Sequence, residues 1–191
     1  MDFFSEKYSS EKLQILSAYS SNSVREVSAV DFEACYEQYF EKIYRYLFYM
    51  TGHRQVAEDL TQESFLKFYK SKFSGGAALY TYLHQIARNL AYDHYRRKAL
   101  IKWLPFSTKH AGVASAADVW LLENEERKRL FDALTRLKPA QREVMICRKI
   151  EELSLDDTAQ LLGLTVVQVA NTQRAAMKVL VKMLGGERDE G

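Results

Sequence analysis

The chain has 191 residues, 47% of them hydrophobic and 27% charged, which excludes a disordered or fibrous chain and admits one domain or two small ones. No apolar run approaches the ~20 residues of a membrane span. The net charge of +2 conceals a division: residues 1–44 hold 4 Lys/Arg against 8 Asp/Glu, residues 45–110 hold 11 against 4, and residues 111–191 hold 12 against 13. A basic middle of this kind points to a polyanionic partner.

The first residues, MDFFSEKYSSEK, carry acidic groups and no long apolar core, so no secretory signal is expected and the cytoplasm is the default. Residues 1–30 read as a polar, serine-rich extension, with a short helix expected near 11–19. Cys35 and Cys147 stand far apart and outside any CxxC pattern, which argues against a disulfide framework or zinc site and predicts two buried thiols. Two prolines and eight glycines interrupt an otherwise 3.6-residue periodicity, so the expected fold is all-α.

A first helical block spans residues 31–104. Within it, AEDLTQESFLKFYK places Asp59, Glu63 and Lys67 at i, i+4 spacing with Gln62 beside them. Glu63 to Lys67 is the favourable ion-pair direction, and the stripe could dock a basic partner surface. Then SKFSGGAALYTYL offers a glycine pair that lets a backbone approach closely. The following stretch, IARNLAYDHYRRKAL, interleaves rings with cations. By 100° steps Leu79, Leu83, Ile86 and Leu90 share a buried face. Gln85, Arg88, Asn89, Tyr92 and Arg96 line the opposite one, and Arg97, Lys98 and Lys102 extend the row. An exposed series of amides, guanidinium groups and phenols suits bases and phosphates, the rings serving partly unstacked bases.

LPFSTKHAGVASAAD, which begins at Leu104, reads as a linker, with its bounds expected at residues 105–124. The second block, residues 125–184, contains SLDDTAQLLGLTVVQVANTQRAAMKVL, which reads as helix, tight turn, helix. Ser154 with Asp157 and Thr165 with Gln168 are capping-box pairs, and Gly163 sits where a helix end needs a left-handed residue. Val169, Gln173, Ala176, Leu180 and Met183 form the packing face of the second helix. Val167, Asn171, Arg174, Lys178 and Lys182 form the other, able to reach base edges and phosphates in a major groove. A charged tail, residues 185–191, follows.

These segments, in this order, resemble the extracytoplasmic-function sigma factors of bacterial RNA polymerase across residues 31–184. The resemblance implies a region 2-like domain, a flexible linker and a region 4-like helix-turn-helix domain. AEDLTQESFLKFY would meet the polymerase β′ clamp through Asp59, Gln62 and Glu63. TYLHQIARNLAYDHYRRK would read and melt the −10 element through Tyr82, Gln85, Arg88, Asn89, Tyr92, Arg96 and Arg97. The helix-turn-helix would read the −35 element through Val167, Gln168, Asn171, Arg174 and Lys178. Implied partners are core polymerase (β′ clamp and β flap), promoter DNA and an anti-sigma factor, with no cofactor, no metal, no catalysis and no membrane insertion. Tyr82 stands where many relatives carry Trp. Ala170, Thr172 and Ala175 replace commonly basic positions, which predicts an unusual −35 preference. Two other readings compete: a polymerase-independent helix-turn-helix regulator, and a metal-dependent hydrolase built from His53, Glu58, Asp59, His84, Asp93 and His94. The latter lacks HExxH or comparable ligand spacing.

Overall fold

The computed structural model describes residues 32–71, 73, 78–101 and 125–185. The N-terminal extension, the Gly75–Gly76 loop, Lys102, the 105–124 linker and the tail beyond Gly185 lie outside the described residues. Among those described, every regular element is helical: α1 (Phe32–Thr51), α2 (Arg54–Lys70), α3 (Leu79–Ile101), α4 (Glu125–Arg136), α5 (Pro139–Met145), α6 (Leu155–Leu162) and α7 (Val166–Gly185). A π-helical turn, Ile146–Ile150, continues α5. The all-α expectation holds.

Aromatic residues four apart give α1 its character. Phe32, Tyr36, Phe40, Tyr44 and Phe48 form a ladder with successive ring centroids 6.2, 4.9, 6.4 and 6.1 Å apart. Phe65 of α2 joins it, 4.8 Å from Tyr36. Another face of α1 buries Ile43, Tyr46, Leu47 and Met50 completely. Each such side chain contributes roughly 1.5–3 kcal/mol on leaving water. From α3, Leu83, Ala87, Leu90 and Ala91 complete this core. On α2 the buried positions Ala57, Thr61 and Ser64 are small. The Thr61 and Ser64 hydroxyls donate back to the Ala57 and Leu60 carbonyls at 2.6 and 2.7 Å, so neither hydroxyl is orphaned by the close packing.

Gly52 ends α1 with φ +69°, a left-handed conformation that a Cβ would disfavour. A Cβ there would also come within 2.8 Å of Thr135 Cγ2, so the turn presses closely on the second block.

In that block, Ala133, Leu134, Leu137, Met145, Ala176 and Leu180 form one apolar cluster, and Val144, Cys147, Ala159, Leu161, Leu162 and Val169 a second. Both expected helix starts are present. Ser154 Oγ accepts from Asp157 N at 3.0 Å. Gln168 N donates to Thr165 Oγ1 at 3.2 Å while Thr165 N donates to Gln168 Oε1 at 2.8 Å. Gly163 adopts φ 65°, and Leu164 N returns to Ala159 O at 2.9 Å, which satisfies carbonyls at the end of α6. Val169, Ala176 and Leu180 are buried on α7, with Met183 and Gln173 half-buried, matching the expected packing face. Cys35 and Cys147 are both buried free thiols, also as expected.

The two blocks pack against one another, α1 on α4, α5 and the π turn, and α3 on α6. Phe48 stacks on Phe131 at 5.0 Å across this seam. Arg142 of α5 secures it and is only 5% exposed. Its guanidinium donates to the Leu134, Thr135 and Leu137 carbonyls at the end of α4, to Met50 O at the end of α1, and to Tyr95 Oη. A fixed cation among helix C-terminal carbonyls answers both their unmade hydrogen bonds and their partial negative charge. Burial lowers the Arg142 pKa, with Tyr95 opposing.

Candidate nucleic-acid interface

Of the α2 stripe, Asp59 and Gln62 are exposed and Glu63 is half-buried. The Glu63–Lys67 ion pair forms at 3.2 Å, and Gln55 Nε2 donates to Asp59 Oδ1 at 3.3 Å. Such exposed pairs contribute little to stability, so this surface is free to change partner.

On α3 the expected row divides. Gln85, Asn89, Arg96 and Arg97 are exposed, Arg96 pairing with Asp93. Arg96, Arg97 and Lys98 make a cationic surface near the end of the helix, where the dipole favours positive charge. Burial lowers the pKa of neighbouring His94, and Lys98 and Arg97 lower it further. Tyr82 is half-buried, its ring 5.0 Å from Phe73 and 6.2 Å from Phe68.

Arg88 and Tyr92 depart from the expected exposed row. Both turn towards Glu143 of α5, a carboxylate in the second block that is 1% exposed. Arg88 Nε donates to Glu143 Oε1 at 2.7 Å and the Tyr92 hydroxyl to Oε2 at 3.0 Å. Tyr46 from α1 donates to Oε1 at 2.8 Å. The Arg88 guanidinium lies over the Tyr92 ring, 5.0 Å from its centroid. Burial alone would lower the Arg88 pKa, but the hydrogen bond and charge of Glu143 outweigh it and raise the value. Burial, then Glu143, raises the Tyr92 pKa. The physical reason for the correction is that helical periodicity assigns faces for one helix alone. It does not reveal that α5 covers part of the polar side.

On α7, Val167, Asn171, Arg174 and Lys178 are exposed, Val167 by 67%. Arg174 donates to Asn171 Oδ1 at 3.0 Å, which aligns amide and guanidinium side by side. Gln168 is exposed but its Oε1 is engaged in the capping box. The sequence reading missed Tyr46, Arg142, Glu143 and Tyr95. A signal existed: α5 carries adjacent Arg142 and Glu143 before Val144–Met145–Ile146–Cys147, and a segment buried on every side must find partners for its charges. Of the groups considered for hydrolytic metal binding, His53 and Asp59 are exposed while His84 is buried. Among the described residues, no helix is long and apolar enough to cross a membrane.

The Sigma-70 region 2 family matches residues 35–101, and the Sigma-70 region 4 family matches residues 127–180. The chain is 30% identical over 164 residues to RNA polymerase sigma factor YlaC of Bacillus subtilis, covering 83% of this chain and 94% of that protein. It is 30% identical over 167 residues to ECF RNA polymerase sigma factor SigX of the same organism, covering 83% and 86%. The fold is similar to that of sigma factor RpoE in complex with the anti-sigma factor NepR from Bartonella quintana, with TM-score 0.60, 19% identity, and 81% and 97% of the two chains covered.

Two helical blocks in this order, the second a helix-turn-helix, define the class of sigma-70-type transcription factors. The chain belongs to its extracytoplasmic-function family and is an RNA polymerase sigma factor. The polymerase-independent regulator is not favoured, because both blocks match polymerase sigma factors.

Proposed function

We propose that residues 31–104 and 125–184 act as the region 2 and region 4 domains of a cytoplasmic, non-catalytic initiation factor whose described form is closed. Asp59, Gln62 and Glu63 dock on the β′ clamp. Tyr82, Gln85, Arg88, Asn89, Tyr92, Arg96 and Arg97 engage the −10 element. Val167, Gln168, Asn171, Arg174 and Lys178 enter the −35 major groove, while the β flap receives the second block. Strand separation costs about 1–2 kcal/mol per stacked step. Rings and cations that hold exposed bases offset that cost once polymerase contacts fix the assembly.

The observation that carries the closed reading is the Glu143 carboxylate on Arg88, Tyr92 and Tyr46. Two groups assigned to promoter strands are occupied by the chain's own second block, so the seam opens before both can meet DNA. An anti-sigma factor, the partner of the Bartonella quintana relative, would act on the same equilibrium.

Run-off transcription with core polymerase on a genomic promoter library tests this function. The expected result is polymerase-dependent initiation at a discrete promoter set, with permanganate-reactive thymines near −10. Duplex binding without core polymerase, and no run-off with it, would overturn the reading.

A further inference from the structure

We propose that His84, Cys147 and Glu151 form a binding site for a zinc-class divalent metal across the seam between the blocks. His84 lies on α3, whereas Cys147 and Glu151 are brought together, four residues apart, by the π-helical turn. Their ligand atoms all lie within 4.8 Å of one another, with His84 and Cys147 buried and Glu151 half-buried. A zinc tetrahedron with bonds of about 2.0–2.3 Å has ligand separations of about 3.5 Å, so small side-chain rotations close the set.

An independent observation points to a ligand. His84 is 0% exposed, yet neither Nδ1 nor Nε2 has a hydrogen-bond partner among the described residues, and Glu151 Oε1 has none either. Buried polar atoms are ordinarily partnered. Here an imidazole nitrogen and a carboxylate oxygen converge on a sulfur, a donor set suited to zinc or cobalt rather than magnesium or calcium.

The charges also agree. A thiolate and a carboxylate supply two negative charges, and a dication neutralises them inside the protein. On binding, the metal forms a bond to Sγ and the Cys147 proton passes to solvent, with no change in oxidation state. The Tyr80 hydroxyl, 3.5 Å from Glu151 Oε2, orients the carboxylate from the α3 side. Because the ligands come from both blocks, an occupied site holds the blocks together.

The test uses the full 191-residue chain, stripped of metal, titrated with Co2+ and then Zn2+. The expected result is one Co2+ per chain, with a thiolate charge-transfer band and visible d–d absorption that Zn2+ displaces. Cys147→Ser should abolish the charge-transfer band, His84→Gln and Glu151→Gln should each weaken binding at least ~100-fold, and Cys35→Ser should leave the band intact. Zn2+ should raise the melting temperature of the wild-type chain and not of Cys147→Ser. Absence of a thiolate band in the wild-type chain, or a band lost with Cys35→Ser but retained with Cys147→Ser, overturns the site. The wild-type titration decides the matter even where a variant fails to fold.

Discussion

Replacing Glu143 with Gln keeps the size of the side chain and removes its charge, which isolates the closed seam. In the wild-type chain the side chain of Glu143 is 2% exposed and that of its partner Arg88 31% exposed. Breaking a fully buried ion pair costs roughly 3–5 kcal/mol. Two features reduce that figure here. Arg88 is partly solvated already, and an amide oxygen set at the Oε1 position still accepts from Arg88 and Tyr46, so only the Tyr92 hydroxyl loses its acceptor. A closed-state loss of about 2 kcal/mol follows, or about 30-fold in the equilibrium between closed and open forms. Apparent DNA affinity scales with the competent fraction, so binding to a fluorescent −10 single strand should tighten by up to about 30-fold. Its salt dependence should steepen by about one phosphate contact as Arg88 is released. Fluorescence anisotropy across a salt series measures both, with circular dichroism to establish that helices persist. A folded Glu143→Gln protein with wild-type affinity and wild-type salt slope would refute the occlusion argument.

Asp59→Lys with Glu63→Lys should weaken core polymerase binding by several kcal/mol in a pull-down titration while leaving the melting temperature nearly unchanged, because both groups stand on the exposed side of α2. Arg174→Ala should relax preference at one or two −35 positions by roughly 1–3 kcal/mol, whereas Lys178→Ala should lower affinity for all sequences alike. A randomised −35 library transcribed by both variants separates the two, and identical profiles would remove α7's reading role. Gly52→Ala should destabilise the chain by more than ~1 kcal/mol, since φ is +69° and the new Cβ meets Thr135 Cγ2 at 2.8 Å. Thr135→Ser should recover only the contact part of that loss in a denaturation double-mutant cycle.

Local signals determined most of the helical inventory. Ser154, Gly163, Thr165 and Gln168 act on backbone groups within a few residues of themselves, and their effects appear in the structure where the spacing placed them. Periodicity likewise located the buried side of α7 through Val169, Ala176 and Leu180. The cationic surface of Arg96, Arg97 and Lys98 was legible for the same reason, since exposure follows from a single helix. The family was legible too, because it rests on motifs in a fixed order along the chain.

Only the tertiary structure decided which polar groups face solvent at the seam. Arg88 and Glu143 are 55 residues apart, and Tyr46 and Glu143 are 97 apart. No helical period relates such pairs. Their meeting depends on how α1 and α3 lie against α5, which shape and apolar packing set over whole helices. The same holds for His84 with Cys147 and Glu151, whose ligand spacing exists across two blocks and in no continuous stretch. A sequence specifies its short-range hydrogen bonds residue by residue. The partners of its buried charges come from the packing of distant elements, because a charge withdrawn from water takes whichever counter-charge the fold brings within reach.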